Sequence, residues 1–261
     1  MDDTAAKGDT AARRAPKAGA RRSPEQTKGA ILLAAQKEFA QQGYSGARIE
    51  KIAQFAKCNV RMIYHYFDSK KNLYVAVLEN AYEDLRSQEA SLKIDIDQPM
   101  DGFLKLLRFT FDYFEKNPHF EGILRAENVM RGRFVRRSAR VIELGFPLRK
   151  IISDLIASGE RQGLVRPGLD PVHIYVTIAA LSRFHRSSAF SLSAVLDTDI
   201  TQPEWLKTRW KHAADVLTAY LAPPGVVAST LEPLASVEAS APRKVRKSKA
   251  ARSAPVEGAL G

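Results

Sequence analysis

IEKIAQFAKCNVRMIYHYF, residues 49–67, reads as two short amphipathic helices joined by a tight polar turn. Ile49, Ile52, Ala53 and Ala56 fall at i, i+3, i+4 and i+7, one apolar face at helical spacing. Asn59 stands where a helix N-cap is wanted, because its side-chain oxygen can accept from an orphan backbone N–H. Beyond it Ile63, Tyr64 and Phe67 return to one face, which leaves Val60, Arg61, Met62 and His65 directed away from the core. A second helix that hides one face and presents its N-terminal side chains has the geometry of a recognition helix in a DNA major groove. Arginine can hydrogen-bond guanine O6 and N7 bidentately, so Arg61 is the expected base reader, with Val60 and Met62 suited to thymine methyl groups.

The flanks extend the pattern. Ser23-Pro24-Glu25-Gln26 is a capping box with proline at the first helical position. The helix it opens carries Ile31, Leu32, Ala35 and Phe39 and is expected to stop at Gly43. Downstream, Asp68-Ser69-Lys70-Lys71 caps a helix bearing Leu73, Val77, Leu78, Ala81 and Leu85. The run ILLAAQKEFAQQGYSGARIEKIAQFAKCNVRMIYHYFDSKKNLYVAVL, and above all Tyr64–Lys70, resembles the DNA-binding domain of the TetR family of bacterial one-component regulators. Two positions depart from the family pattern. Ala47-Arg48 stands where threonine or serine often opens the first of the two helices, and Lys57 occupies a turn position where glycine is common.

The resemblance implies an all-α chain, with an N-terminal three-helix helix-turn-helix domain and a C-terminal helical domain for effector binding and dimerisation. It implies a dimeric, sequence-specific repressor of double-stranded DNA, released from a palindromic operator by a small-molecule effector, without enzymatic activity, cofactor or metal. The DNA-binding set is then Arg48, Lys57, Asn59, Val60, Arg61, Met62, Tyr64, His65 and Lys70, of which Arg48, Tyr64, His65 and Lys70 match positions that touch the phosphate backbone. Two alternatives stay open: a transcriptional activator, and a sequence-independent DNA-binding protein acting through basic tails.

Charge and composition set the domain expectation. The chain has 261 residues and a formal charge of +11, 40 Lys+Arg against 29 Asp+Glu. Residues 1–23 and 222–261 hold more than half of the excess and read as disordered basic tails, without apolar periodicity. Residues 24–71 form the expected DNA-binding domain, with eight basic and four acidic groups, and 72–221 the effector and dimerisation domain. A basic balance concentrated on a helix-turn-helix favours nucleic acid over a membrane. Arg13, Arg14, Arg21 and Arg22 suit either a solvated tail or a minor-groove arm. The single cysteine, Cys58, excludes an intramolecular disulfide and is expected to pack in the core, the alternative being a thiol sensor. No 18-residue apolar run and no signal-type core is present, so a cytoplasmic protein is expected. No GxSxG, P-loop, HExxH or dinucleotide fingerprint occurs, and the five histidines lie far apart.

The C-terminal half stays helical. Phe103, Leu107, Phe111 and Phe114 mark one face, ended by Asn117-Pro118, and Phe120–Met130 follows. Ser138–Gln162 is expected to kink near Gly145-Phe146-Pro147 and to close at Gly163. Asp170-Pro171 opens a helix with Ile174, Ile178 and Leu181 on one face, and Thr201-Gln202-Pro203-Glu204 reads as a capping box. After it, Leu206, Trp210, Ala213, Leu217 and Tyr220 repeat at 4-3-4-3 spacing, a seam suited to a homodimer or to the subunit's own core. Phe103, Phe111, Phe114 and Phe134, with Arg125 and Asn128 as polar contacts, are the expected effector pocket; the alternative is a phenylalanine-rich core. The segment NPHFEGILRAENVMRGRF is similar to the corresponding region of the family's pyrimidine-utilisation, uracil-responsive branch.

Overall fold

The computed structural model describes residues 23–225, and among these the regular elements are all helical. The expectations for the two tails, including the arginines at 13, 14, 21 and 22, lie outside the described residues. The first four helices are α1 (Pro24–Gly46), α2 (Ile49–Ala56), α3 (Val60–Phe67) and α4 (Lys70–Ala90). Then come α5 (Pro99–Lys116), α6 (Pro118–Val129), α7 (Ala139–Glu143), α8 (Phe146–Arg161), α9 (Pro171–Ser187), α10 (Ala189–Val195) and α11 (Pro203–Leu221).

Proline opens α1, α5, α6, α9 and α11, where its missing N–H is one of the donors a helix start leaves unpaired. The capping box before α1 is formed: Ser23 Oγ accepts from Gln26 N–H at 3.2 Å and Gln26 Oε1 from Ser23 N–H at 3.0 Å. Gly43 breaks α1 at φ 66°, a left-handed angle that glycine adopts without steric cost, and a last turn runs on to Gly46. Asp170 caps α9 by accepting from Val172 and His173 N–H.

The helical stretch is interrupted at Leu144-Gly145, the place of the expected kink: both residues keep right-handed helical angles between α7 and α8, and Pro147 has no N–H for a continuing helix. One local expectation is corrected. The capping box before α11 does not form: Asp199 takes the N–H and hydroxyl of Thr201 and the amide of Gln202, so no side chain caps that helix.

Two main cores result. One joins α1–α4 and also receives Ile123, Phe134 and Val141 from the C-terminal half. The other joins α5, α8, α9 and α11 through Phe103, Leu107, Ile152, Leu155, Ile174, Ile178, Ala213 and Leu217. A smaller cluster of Ala81, Leu85, Tyr113, Phe114 and Phe120 lies where α4, α5 and α6 meet. Because α1 packs closely on α6, no apolar gap separates the expected DNA-binding segment from the rest.

The seam expected on α11 is corrected in part. Ala213 and Leu217 are fully buried in the subunit's own core. Trp210 is partly buried on the same core, its ring edge-on to Phe111, and Leu206 faces a cavity. Of the five, only Tyr220 stays well exposed, one face of its ring covered by the Arg166 guanidinium at 3.7 Å. The stripe faces inward because α11 packs on both α5 and α9, and the intramolecular face takes the large apolar residues first.

Candidate nucleic-acid interface

The apolar face Ile49, Ile52, Ala53 and Ala56 is buried and seats α2 against α1. Arg48 gives α2 no side-chain cap; its own N–H donates instead to Glu38 Oε1, on the buried side of α1, at 3.1 Å. Glu50 in the first turn complements the positive end of the helix. Lys57 closes α2 with φ 54° and ψ 47°, left-handed angles that cost a residue with a Cβ about 1 kcal/mol relative to glycine. In return, the Lys57 and Cys58 N–H groups reach the Gln54 and Ala53 carbonyls. Cys58 is partly buried against the same core. Asn59 then caps α3, its Oδ1 accepting from Met62 N–H at 2.9 Å.

On α3, Ile63 and Phe67 are buried and Val60 and Tyr66 pack partly against the core. Two expectations shift. Tyr64 is 46% exposed rather than on the inner face, and Val60 is half-buried rather than outward. The inner line runs 60, 63, 67; the outer one is 61, 64, 65, at i, i+3 and i+4. Arg61, Tyr64 and His65 therefore form one exposed face, with Met62 half-buried at its edge and Arg48, Lys57 and Asn59 exposed nearby in sequence.

Lys70 is placed differently from a free surface lysine. Its ammonium donates to Ala47 O at 2.6 Å and Ser45 O at 3.4 Å, and lies 5.2 Å from the centre of the Tyr44 ring. Partial burial lowers its pKa, opposed by the charges of Glu38 and Glu50. It thus ties the start of α4 to the end of α1, holding α2 and α3 between them.

The six expected effector residues are not brought together. Phe103 is fully buried between α5 and its neighbours, and Phe134 lies in the other core, against Tyr44 and Tyr74. Phe134 is drawn there because buried Glu127 accepts from Phe134 N–H (2.6 Å) and Val135 N–H (3.0 Å) and folds that loop back onto α4. Arg125 borders a groove between α1 and α6, and Asn128 bonds to the Leu124 carbonyl of its own helix. Phe114 alone borders a cavity of about 390 Å³ enclosed by α5, α6, α9, α10 and the start of α11. Phe111 lies behind that cavity, stacked on His185 with ring centres 5.1 Å apart. His185, Arg186, Phe190, Ile200 and Leu206 complete much of its wall, and none of the five was assigned to a pocket from sequence. The available signal was a histidine ending the inward stripe Ile174, Ile178, Ser182 on α9.

Among the described residues no helix is long and apolar enough to cross a membrane, and no cluster of three metal-ligating side chains occurs.

Two family profiles match the chain. Residues 31–77 match the profile of bacterial regulatory proteins of the tetR family, and residues 99–217 that of a tetracyclin repressor-like C-terminal domain. The HTH-type transcriptional repressor NicS of Pseudomonas putida is 36% identical over 186 residues, 71% of this chain and 87% of that protein. The HTH-type transcriptional regulator RutR of Escherichia coli is 27% identical over 171 residues, 64% of this chain and 77% of its own, in keeping with the likeness to the pyrimidine-utilisation branch. A TetR transcriptional regulator from Chloroflexus aurantiacus superposes with a TM-score of 0.55 at 21% identity, over 76% of this chain and 97% of that one, a likeness of fold. With an exposed recognition face on a capped helix, and a helical domain behind it, the chain belongs to the TetR family of bacterial transcriptional regulators, which are DNA-binding proteins and not enzymes.

Proposed function

We propose that this regulator is a homodimeric repressor that leaves a palindromic operator when a small-molecule effector binds its C-terminal half. The observation that carries the reading is the outward face of Arg61, Tyr64 and His65 on a helix held by its Asn59 cap and its buried Ile63 and Phe67. One such helix reads few base pairs, so specificity calls for two, set one helical turn of DNA apart, about 34–36 Å. The exposed apolar residues Val172, Val176 and Phe184 on α9, with Val216 and Tyr220 on α11, support a helical interface between copies. NicS, named a repressor, supports repression as the output. A regulator of this kind meets its operator in the cytoplasm.

Coupling has a physical route. On α6, Glu121 borders the cavity and accepts from Arg183 of α9 at 2.9 and 3.0 Å, while the next residue, Gly122, touches α1. A Cβ on Gly122 would stand 2.7 Å from the Ala40 carbonyl oxygen, so α6 and α1 move together or not at all. A ligand that shifts α6 or α9 therefore tilts the recognition helix, and it releases DNA only if it binds the tilted state better, with a typical coupling of about 1–3 kcal/mol.

The test is a competition binding assay with the DNA upstream of the regulator's own gene. Strong preference for that DNA over random duplex, together with increased transcription on deletion of the gene, supports the reading. Loss of preference would favour sequence-independent coating by the basic tails. A fall in transcription on deletion would make the protein an activator.

A further inference from the structure

Between α6 and the end of α7 the chain carries Arg131, Arg133, Arg136, Arg137 and Arg140, and residues 128–142 contain no acid and no lysine. All five arginines are exposed. Arg140 pairs with Glu83 of α4, but among the described residues no acid lies within ion-pair distance of the other four. Like charges gathered this way repel one another, so the loop is held together by something else. Buried Glu127, near the end of α6, accepts from the N–H groups of Phe134 and Val135 at 2.6 and 3.0 Å. Phe134 is buried in the core of α1–α4, and Ser138 Oγ donates to Glu79 Oε1 of α4 at 2.7 Å. Val135–Arg137 is a turn of 3-10 helix. Arg131 and Gly132 reverse the chain at φ 56° and 69°, left-handed angles that cost Arg131 strain because it has a Cβ. The guanidinium groups therefore project from a fixed backbone.

The loop stands beside the DNA-binding segment. At the end of α1, the Tyr44 ring lies 4.6 Å from the Phe134 ring and 5.2 Å from the Lys70 ammonium. Tyr74, one turn after Lys70 on α4, meets Phe134 at 4.9 Å. One aromatic layer thus separates the arginine loop from Lys70 and from the turn into α2, where Arg48 is exposed. The acids that touch the loop are already engaged: Glu127 by its backbone, Glu79 by Ser138 and Glu83 by Arg140. Glu143, which ends α7, is exposed and makes no ion pair with the four.

We propose that this loop is a second DNA contact, in which Arg133, Arg136 and Arg137 neutralise backbone phosphates beyond those within reach of the helix-turn-helix. Four unpaired guanidinium groups on one fixed loop, continuous with the recognition domain, match a polyanion; a small anion would engage one or two of them. Duplex DNA presents such a row, about one charge per 1.7 Å of its axis. Arginine suits it better than lysine, because its planar fork meets two phosphate oxygens at once. Phosphate contacts carry no base preference, so the loop adds affinity and fixes register while α3 reads sequence. The inference rests on DNA binding through α3 and is independent of the effector and of repression.

The test is the salt dependence of binding by the full chain to two duplexes of equal length, the DNA upstream of the regulator's own gene and a random sequence. The triple variant Arg133→Gln, Arg136→Gln, Arg137→Gln changes exposed positions only, and its thermal melt should match the wild type. It should bind both duplexes about tenfold more weakly or worse, with a log–log salt slope smaller by about 2 or more, since each lost phosphate contact removes about 0.9. The corresponding triple lysine variant keeps the charge and should restore the slope. Hydroxyl-radical footprinting should show backbone positions that the wild type protects and the glutamine variant leaves open. If the triple variant melts early, Arg137→Gln alone decides, with an expected slope change of about 1. An unchanged slope overturns the proposal even where affinity falls, because that loss would come from a displaced helix-turn-helix. A lysine variant that fails to restore the slope overturns it as well. Wild-type preference for the upstream DNA with an unchanged slope in the variant overturns the loop contact alone. A reduced slope without preference between the duplexes supports the loop contact and overturns the sequence-specific reading. Failure of the wild type to bind either duplex overturns both.

Discussion

Arg61 is exposed one residue into α3, on a face that shares nothing with the core, so its removal changes recognition without changing folding. Arg61→Ala is expected to cost roughly 1–3 kcal/mol of operator binding and to relax preference at one operator position. Binding measured across a set of single-base operator variants checks this, and equal losses on every variant would make Arg61 a backbone contact. At the same scale, His185 makes stability depend on pH. Its pKa is about 4 when folded against an ordinary 6.5, so between those values the unfolded chain holds a proton that the folded chain does not. Stability therefore falls as pH drops from about 6.5 to about 4 and levels off below, a loss of up to about 3 kcal/mol. Denaturant unfolding at pH 7, 5 and 4 should show this loss, and a markedly smaller one in His185→Gln.

Between elements, two contacts hold the recognition helix in register with the rest. Lys70 ties α4 to the end of α1 through the Ala47 and Ser45 carbonyls. Two of its three N–H donors are thus used, and its charge still stands beside the expected DNA face. Lys70→Ala is expected to lower thermal stability and also to reduce the log–log salt slope of DNA binding by about 1, equally on all sequences. An unchanged slope with lowered stability would reduce Lys70 to a strut. Gly122 is the second contact. Gly122→Val places branched carbons against the Ala40 backbone, which cannot yield as a flexible side chain would, and is expected to cost about 1–3 kcal/mol. If α6 transmits the effector signal to α1, the variant should also bind operator more weakly without ligand. Thermal melts together with operator titration test both parts.

For the whole molecule the dimer is the central expectation, and the burial pattern separates two neighbouring residues on α11. Leu217 is 0% exposed in the subunit's own core, whereas Val216 is 38% exposed. Leu217→Glu buries a charge without a partner and should unfold or aggregate the chain, at a cost of several kcal/mol. Val216→Glu should leave each subunit folded and weaken only the association between copies. Sedimentation at micromolar concentration is the measurement: wild type near twice 29.0 kDa, and Val216→Glu shifted toward one chain with its helicity intact. A wild type that sediments as one chain while still binding operator specifically would remove the dimer from the mechanism.

Most of the fold was legible along the chain because its signals are local. The Ser23 cap, Asn59, Asp170 and the helix-opening prolines act within one turn of the residues they fix, and the 49–56 face follows from helical period alone. The same locality makes the exposed Arg61 and His65 readable from seven or eight residues. Periodicity marks an apolar face but does not say what covers it, and there the sequence runs out. Ala213 and Leu217 suit a dimer seam or a subunit core equally well, and the packing of α11 on α5 and α9 decides for the core. Phe134 is drawn from the expected pocket by Glu127, and the Thr201 cap is lost to Asp199. His185 becomes a cavity residue only because α5, α9, α10 and α11 converge around it, and that convergence of distant segments is a property of the tertiary structure.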